Sequence, residues 1–342
     1  MRVAWNSRSG AYTVMVLAAL LALGAAAVAQ SVVLVAAGTS LPEPLFQNWN
    51  FEYVRTNPRM TVRYLPMGTE EGARQMEKGV ADLGEGDYPL ATQDGATRGK
   101  VIQVPLAVAG IAVVCNVPGV TQELNLSGPV LADIFLSKIT VWNHPEIAKL
   151  NPGVALPATG ILVLHRSEGK GANYIFTDYL SRVSTEFRTR IGRGLAPKWV
   201  TGTSLARGED VLFQVKDTAG AIGYVELNLA MRAGAPLAHI RNADGQFVRP
   251  TPESVAAAAQ ADAAEALRGA VMNAPGRESY PISSFTWLYV PEKGKDANTQ
   301  QAVKNYVSWL LGTGQLATAK LGFAPLPPAV AAKARAKIEA LQ

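Results

Sequence analysis

The chain has 342 residues, of which 48% are hydrophobic and 17% charged. That is the make-up of a folded globular protein and excludes a disordered or low-complexity chain. Its net charge of +5 is mild and scattered, with no basic stripe interleaved with aromatics, so nucleic acid is not an expected partner.

The first thirty residues read as a secretory signal peptide. Arg2 and Arg8 form a positive opening, Val14 to Leu23 an apolar run too short to span a bilayer, and Ala27-Val28-Ala29 a small-x-small cleavage site. Residues 1–29 are therefore expected to be removed. No cysteine stands at the cleavage point, so a lipoprotein anchor is not expected, and the exported chain is expected to be soluble and periplasmic. The 313 residues that remain of the 342 favour two domains over one, and their net charge falls to +3. The single cysteine, Cys115, cannot form an internal disulfide. Its place in the apolar run Ile111 to Cys115 marks it as a buried, inert thiol.

Strand and helix alternate from the start of the remaining chain. Gln30 to Gly38, through Val32-Val33-Leu34-Val35, reads as a buried strand, and the segment from Pro42 through Arg55 has Leu45, Phe46 and Trp49 at helical spacing. Thr61 to Leu65 is a predicted strand, Glu70 to Lys78 a helix closed by Gly79, and Ala81 to Gly84 a strand. Val101 to Cys115 is extended and nearly unbroken in its apolar character. Ser127 caps a helix through Phe135, Ile161 to Leu164 is a strand, and Gly171 to Leu180 is a helix with Ile175, Phe176, Tyr179 and Leu180 on one face. Ala221 to Val225 and Trp287 to Val290 are further strands. Helices are expected over Pro252 to Val271, Asn298 to Leu311, Gln315 to Leu321 and Ala329 to Leu341. This alternation argues for α/β layers with a mainly parallel sheet.

Three loops run from a strand into a helix: Ala36 to Pro42, Met67 to Gly72, and His165 to Ala172. Helix N-termini present unpaired N–H groups at a positive dipole end, so three converging loops would make an anion site. Each loop alone is more often a plain helix start. Arg166 in the third adds a guanidinium, which matches oxyanions with forked hydrogen bonds.

The stretch Leu131 to Ile147, with Trp142-Asn143-His144-Pro145, resembles the phosphate-binding proteins of ABC transporters, and Leu150-Asn151-Pro152-Gly153 continues the likeness. Ala219 to Glu226, Phe176 to Leu180 and Pro42 to Phe46 fit as well. Much of this, the Trp142 block above all, is expected to determine the fold and not to touch ligand. The resemblance covers nearly the whole mature chain. It implies a two-lobed α/β protein of the Venus-flytrap, class II-like kind, with a mixed, mainly parallel sheet in each lobe. Lobe one would comprise 30–110 and 282–342, and lobe two 111–281, with the chain crossing near Ala107–Ala112 and returning near Pro281–Thr286. The implied ligand is inorganic phosphate or a related oxyanion, the implied partner an inner-membrane ABC permease, and the expected state a monomer without cofactor.

Residue by residue, the resemblance places Ser40, Leu41, Thr69 and Asp87 at the ligand from lobe one, and Arg166, Lys170 and Gly171 from lobe two. Asp87 also makes chemical sense alone. A carboxylate serves an anion site only if the ligand carries a proton to donate, as phosphate does at neutral pH and sulfate does not. The chain departs from the family at Lys170-Gly171-Ala172, where the pattern is Ser-Gly-Thr, at Glu70 and Glu71, which replace small residues, and at Glu168, which replaces Asp. Three readings follow: Lys170 contacts phosphate, Lys170 pairs with Glu70 or Glu71 in a site for another or larger ligand, or the anion site is lost and the fold serves secretion, adhesion or sensing. An enzyme is not expected. Ser167 to Lys170 is only formally Ser-x-x-Lys, no P-loop is present, and His144, His165 and His239 lie far apart in sequence with no metal-ligand spacing. Asp133, Asp178 and Asp210 read as solvated or capping acids.

Overall fold

The computed structural model describes residues 31–90, 101–167, 169–260 and 271–341. Strand β1 (Val32–Gly38) buries Leu34, Ala36 and Ala37 and lies between β2 (Met60–Pro66) and β3 (Leu83–Gly86), parallel to both. Helices α1 (Glu43–Thr56) and α2 (Thr69–Glu77) make the crossovers. Leu45, Phe46, Trp49 and Tyr53 of α1 form the buried stripe expected of a helix lying on a sheet. Gly72 of α2 is required because a Cβ there would run into the backbone of Ala37 and Gly38, which holds α2 tightly on β1.

The central strand is β4 (Val101–Cys115), buried from Val104 onward. Its first part, Val101 to Gly110, pairs antiparallel with β11 (Ser283–Pro291), which in turn pairs antiparallel with β3. Its last part, Ile111 to Cys115, pairs instead with β8 (Ala221–Glu226). Beyond β8 lie β6 (Leu162–Arg166) and β7 (Thr203–Leu205), again parallel. One eight-stranded sheet results, in the order β2-β1-β3-β11-β4-β8-β6-β7, parallel toward both edges and antiparallel at the centre. Pro105 is accommodated in this central strand because the register shifts at Thr286/Trp287, leaving Leu106 opposite no partner residue. A small second sheet of β5 (Asn125–Leu126), β9 (His239–Arg241) and β10 (Phe247–Val248) flanks the far half.

The remaining helices are α3 (Gly128–Phe135), α4 (Pro145–Leu150), α5 (Gly171–Val183), α6 (Thr185–Arg190), α7 (Gly208–Asp217), α8 (Leu227–Arg232), α9 (Pro252–Gln260), α10 (Ala297–Leu310) and α11 (Pro328–Glu339). Ser127 caps α3 by accepting from the Val130 N–H at 3.4 Å. The four apolar residues expected on one face of α5 are all buried, with Phe176 stacked on Tyr224 at 4.0 Å. Trp142 is fully buried and donates its indole N–H to Gly220 O at 2.9 Å, so it belongs to the core. Cys115 is buried and burial pushes its thiol up to about 12, in keeping with an inert role.

Three local expectations change. The strand expected at Ala81 to Gly84 starts two residues later, at Leu83, and includes Glu85 and Gly86. The helix expected over Gln315 to Leu321 is two short 3₁₀ turns, Thr313–Ala317 and Ala319–Leu321. There the Gln315 amide donates to Leu106 O and Leu310 O and accepts from the Leu326 N–H, and Gly322 turns the chain left-handed. Helix α9 is described to Gln260, and Val271 is not helical; residues 261–270 of the expected helix, like the signal-peptide segment 1–29, lie outside the described residues. Among the described residues no helix is long and apolar enough to cross a membrane.

Candidate functional site

The three expected loops do lie together at one end of the sheet. The first leaves β1 for α1, the second β2 for α2, and the third β6 for α5. The first two are tied to each other, because the Met67 and Gly68 N–H groups both donate to Gly38 O, at 2.7 and 2.8 Å. The third faces them closely. A Cβ on Gly68 would come within 3.8 Å of Gly169 O, and one on Gly171 would overlap the Asp87 carboxylate. Helices α2, α5 and α7 all begin without a side-chain cap, leaving their first N–H groups for other partners.

Asp87, just past β3, is 1% exposed. Its Oδ2 accepts the Thr69 hydroxyl at 3.2 Å, and its own N–H donates to the same hydroxyl oxygen at 3.3 Å. Oδ1 has no partner among the described residues. Burial raises the carboxyl from its ordinary 3.8 to about 7; the Thr39 and Thr69 hydroxyls pull it down and the charge of Glu226 pushes it up. Thr69 is thus occupied in orienting Asp87, and what it has left for a ligand is the N-terminal end of α2.

Arg166, at the end of β6, is also buried. Its Nη1 donates to both carboxylate oxygens of Glu226, at 2.8 and 2.9 Å, and Nη2 reaches Ala206 O at 3.5 Å. Its Nε has no partner among the described residues. The third loop is shaped by Asn173 of α5, whose amide donates to Ser167 O at 2.7 Å and Leu195 O at 3.1 Å while its oxygen accepts the Tyr224 hydroxyl.

Between the first and third loops opens a cleft of about 500 Å³, lined among others by Ser40, Leu41, Arg166, Lys170, Gly208 and Glu226. Ser40 is exposed on its wall and Leu41 buried beneath. Lys170 stands half-buried on the same wall. Glu70 accepts the Tyr88 hydroxyl, and Glu71 pairs with Arg74 along its own helix. Of the seven expected site residues, Ser40, Leu41, Arg166 and Lys170 line the cleft. Asp87, Thr69 and Gly171 cluster beside it and off its wall. The Tyr88 ring packs at a tilt against Tyr174 of α5, centroids 4.5 Å apart, joining the two sides next to Asp87.

Sequence reasoning missed two contributors. Glu226 sits in the block Ala219 to Glu226 but its pairing with Arg166, sixty residues away, has no local signal. The start of α7 at Arg207-Gly208 was also missed, although Gly208 before Glu209 and Asp210 is a helix-start pattern. A Cβ on Gly208 would press on Arg166 Nη1 at 3.0 Å and Glu226 Oε2 at 2.8 Å. Asp133, Asp178 and Asp210 all form surface ion pairs, with Lys138, with Arg182 and Arg193, and with Arg207.

The sequence pattern of the PBP superfamily domain matches residues 24–313. The phosphate-binding protein PstS of Xylella fastidiosa (strain Temecula1) is 35% identical over 303 residues, covering 87% of this chain and 83% of that protein. The phosphate-binding protein PstS of Pasteurella multocida is 35% identical over 312 residues, covering 90% of each. Among solved structures, an ABC-type phosphate transport receptor from Vibrio cholerae aligns with a TM-score of 0.60 at 16% identity, over 86% of this chain and 100% of that one. The mixed α/β architecture is that of the two-lobed periplasmic binding proteins. With this identity sustained along nearly its whole length, the chain belongs to the PBP superfamily and, within it, to the family of the PstS phosphate-binding proteins.

Proposed function

We propose that this protein captures inorganic phosphate between its lobes in the periplasm and hands it to an inner-membrane ABC permease. The lobes are residues 30–110 with 282–342, and 111–281, and they hinge where β4 exchanges β11 for β8 and where the chain re-enters β11. The protein acts as a monomer, after removal of residues 1–29, and binds its ligand without transforming it.

One observation supports the phosphate reading above the others. Asp87 is a buried acid with one oxygen unpartnered among the described residues, set against the uncapped starts of α2 and α5 next to the cleft that Arg166 lines. Backbone N–H groups and Arg166 suit any oxyanion, but an acceptor such as Asp87 gains only from an anion that still holds a proton. Ser40 and the start of α2 serve from lobe one, and Arg166, Lys170 and the start of α5 at Gly171 from lobe two. Contacts from both lobes favour the closed state, which is what a permease would recognise. The relatives named as phosphate-binding proteins support the same reading.

A second reading, a binding fold whose anion site serves another ligand or none, is favoured by the Arg166–Glu226 pair, which already neutralises the arginine. Titration calorimetry on mature, phosphate-stripped protein at neutral pH separates the two. The expected result is tight binding of phosphate and none of sulfate; no heat with either anion overturns the phosphate reading.

A further inference from the structure

Directly beneath the first anion loop lies a second buried acid, Glu85 of β3, which is 0% exposed. Its Oε2 accepts the Thr39 N–H at 3.0 Å and lies 2.9 Å from the Tyr64 hydroxyl. That hydroxyl is also 2.5 Å from Thr39 O. The backbone at Gly38 packs so tightly here that a Cβ would sit 2.6 Å from the Glu85 carboxylate.

The hydrogens can be counted. Tyr64 has one hydroxyl hydrogen but faces two oxygens, Thr39 O and Glu85 Oε2. A backbone carbonyl only accepts. If Tyr64 donates to Thr39 O, its contact with Glu85 is a hydrogen bond only when Glu85 itself carries a proton. If Glu85 is ionised, one of the two contacts becomes oxygen against oxygen with no hydrogen between. With the proton in place, every group is used: Thr39 N–H to Oε2, the Glu85 O–H to Tyr64, and the Tyr64 O–H back to Thr39 O.

The surroundings agree. Among the described residues no cation forms an ion pair with Glu85, and the titratable groups that face it are Tyr64 from β2, Asp87 beyond the end of β3, and Tyr289 from β11, none of them a cation. Its other oxygen, Oε1, has no partner among the described residues, which costs far less for a neutral carbonyl than for half of a buried carboxylate. Burial and the neighbouring Asp87 both hold the proton on, raising Glu85 well above the ordinary carboxylate range.

We propose that Glu85 is a positioning residue kept as a neutral carboxylic acid, whose proton closes a hydrogen-bonded ring that fixes the Thr39–Leu41 loop of the phosphate site. In this form β3 carries a second acid next to Asp87 without adding a second negative charge beneath the anion. The proposal rests on the phosphate reading only for what the loop holds, not for the state of Glu85.

Infrared spectroscopy of the ligand-free protein at pH 7 tests the state. The expected result is protonated-carboxyl absorption from both acids, of which Glu85→Gln removes one part and Asp87→Asn leaves the Glu85 part; no intensity lost on Glu85→Gln overturns the proposal, whether or not phosphate binds. Calorimetry with phosphate, well below the melting temperature, tests the positioning. Glu85→Ala should weaken binding roughly tenfold, the equivalent of about 1.4 kcal/mol for a lost buried hydrogen-bond pair. Glu85→Gln can still accept from Thr39 but cannot also donate to Tyr64 from that same atom, so it should recover only part of that loss. Wild-type affinity in Glu85→Ala, or equal loss in both variants, overturns the positioning role.

Discussion

Asp87→Asn should make the ligand-free protein more stable at pH 8 and leave it nearly unchanged at pH 4. Asp87 lies at its ordinary 3.8 in the unfolded chain and at about 7 in the folded one. Between those values the folded state holds more protons than the unfolded state, so stability falls as pH rises from about 4 to 7. Below that window the acid is protonated in both states and costs nothing; above it the full cost applies. At about 1.4 kcal/mol per pH unit, a displacement from 3.8 to about 7 is worth about 4 kcal/mol. Asparagine keeps an oxygen for the Thr69 hydroxyl and removes the titration. Urea unfolding of both proteins in phosphate-free buffer at pH 4.5, 6 and 8 measures the difference. A gap that opens with pH toward a few kcal/mol is the expected result. Parallel pH dependences in the two proteins would refute the idea that Asp87 is buried and uncompensated when the site is empty.

Two further substitutions probe the geometry of the site. Gly171→Ala sets a methyl group against the Asp87 carboxylate, an overpacking of about 1–3 kcal/mol that lobe opening would relieve under the proposed hinge motion. Phosphate affinity should fall at least about fivefold with the melting temperature unchanged, and unaltered affinity in calorimetry would show that the two groups do not meet in the bound state. Glu226→Gln leaves the buried Arg166 without its counter-charge. By analogy with other broken buried pairs this should cost about 3 kcal/mol in phosphate-free buffer, and phosphate should raise the melting temperature more than in wild type. Equal phosphate-induced shifts in the two proteins would argue that the anion does not replace Glu226 as partner of Arg166.

The loops that build the site were legible because helix starts are local. Leu45, Phe46 and Trp49, the Ser127 cap and the apolar face of α5 are set by residues within a turn or two of one another, and the strand-to-helix changes at Gly38, Gly68 and Gly171 are written in the same short range. Composition and hydrophobic period also sufficed for an α/β protein, and the long apolar run at Val101 to Cys115 for a central strand. Where side chains compete for backbone groups from a distance, the local rules failed, as with Gln315, whose amide bonds to Leu106 and Leu326 and breaks the expected helix into two turns.

The partners inside the site belong to the tertiary structure alone. Glu226 meets Arg166 because β8 pairs with β6, and Glu85 meets Tyr64 and Thr39 because β3 and β2 flank β1. Asp87 meets Gly171 because β4 pairs with β11 along its first part and with β8 along its last, which joins β3 and β6 in one sheet. None of these contacts has a period or a spacing in sequence, since strand order is decided by which faces bury best and not by neighbouring residues. The sequence by itself determined which residue types were available for holding an anion; only the folded sheet decided that Thr69 serves Asp87, that Arg166 is already paired, and that a second acid lies beneath the loop, because charges and hydroxyls find partners through space and not along the chain.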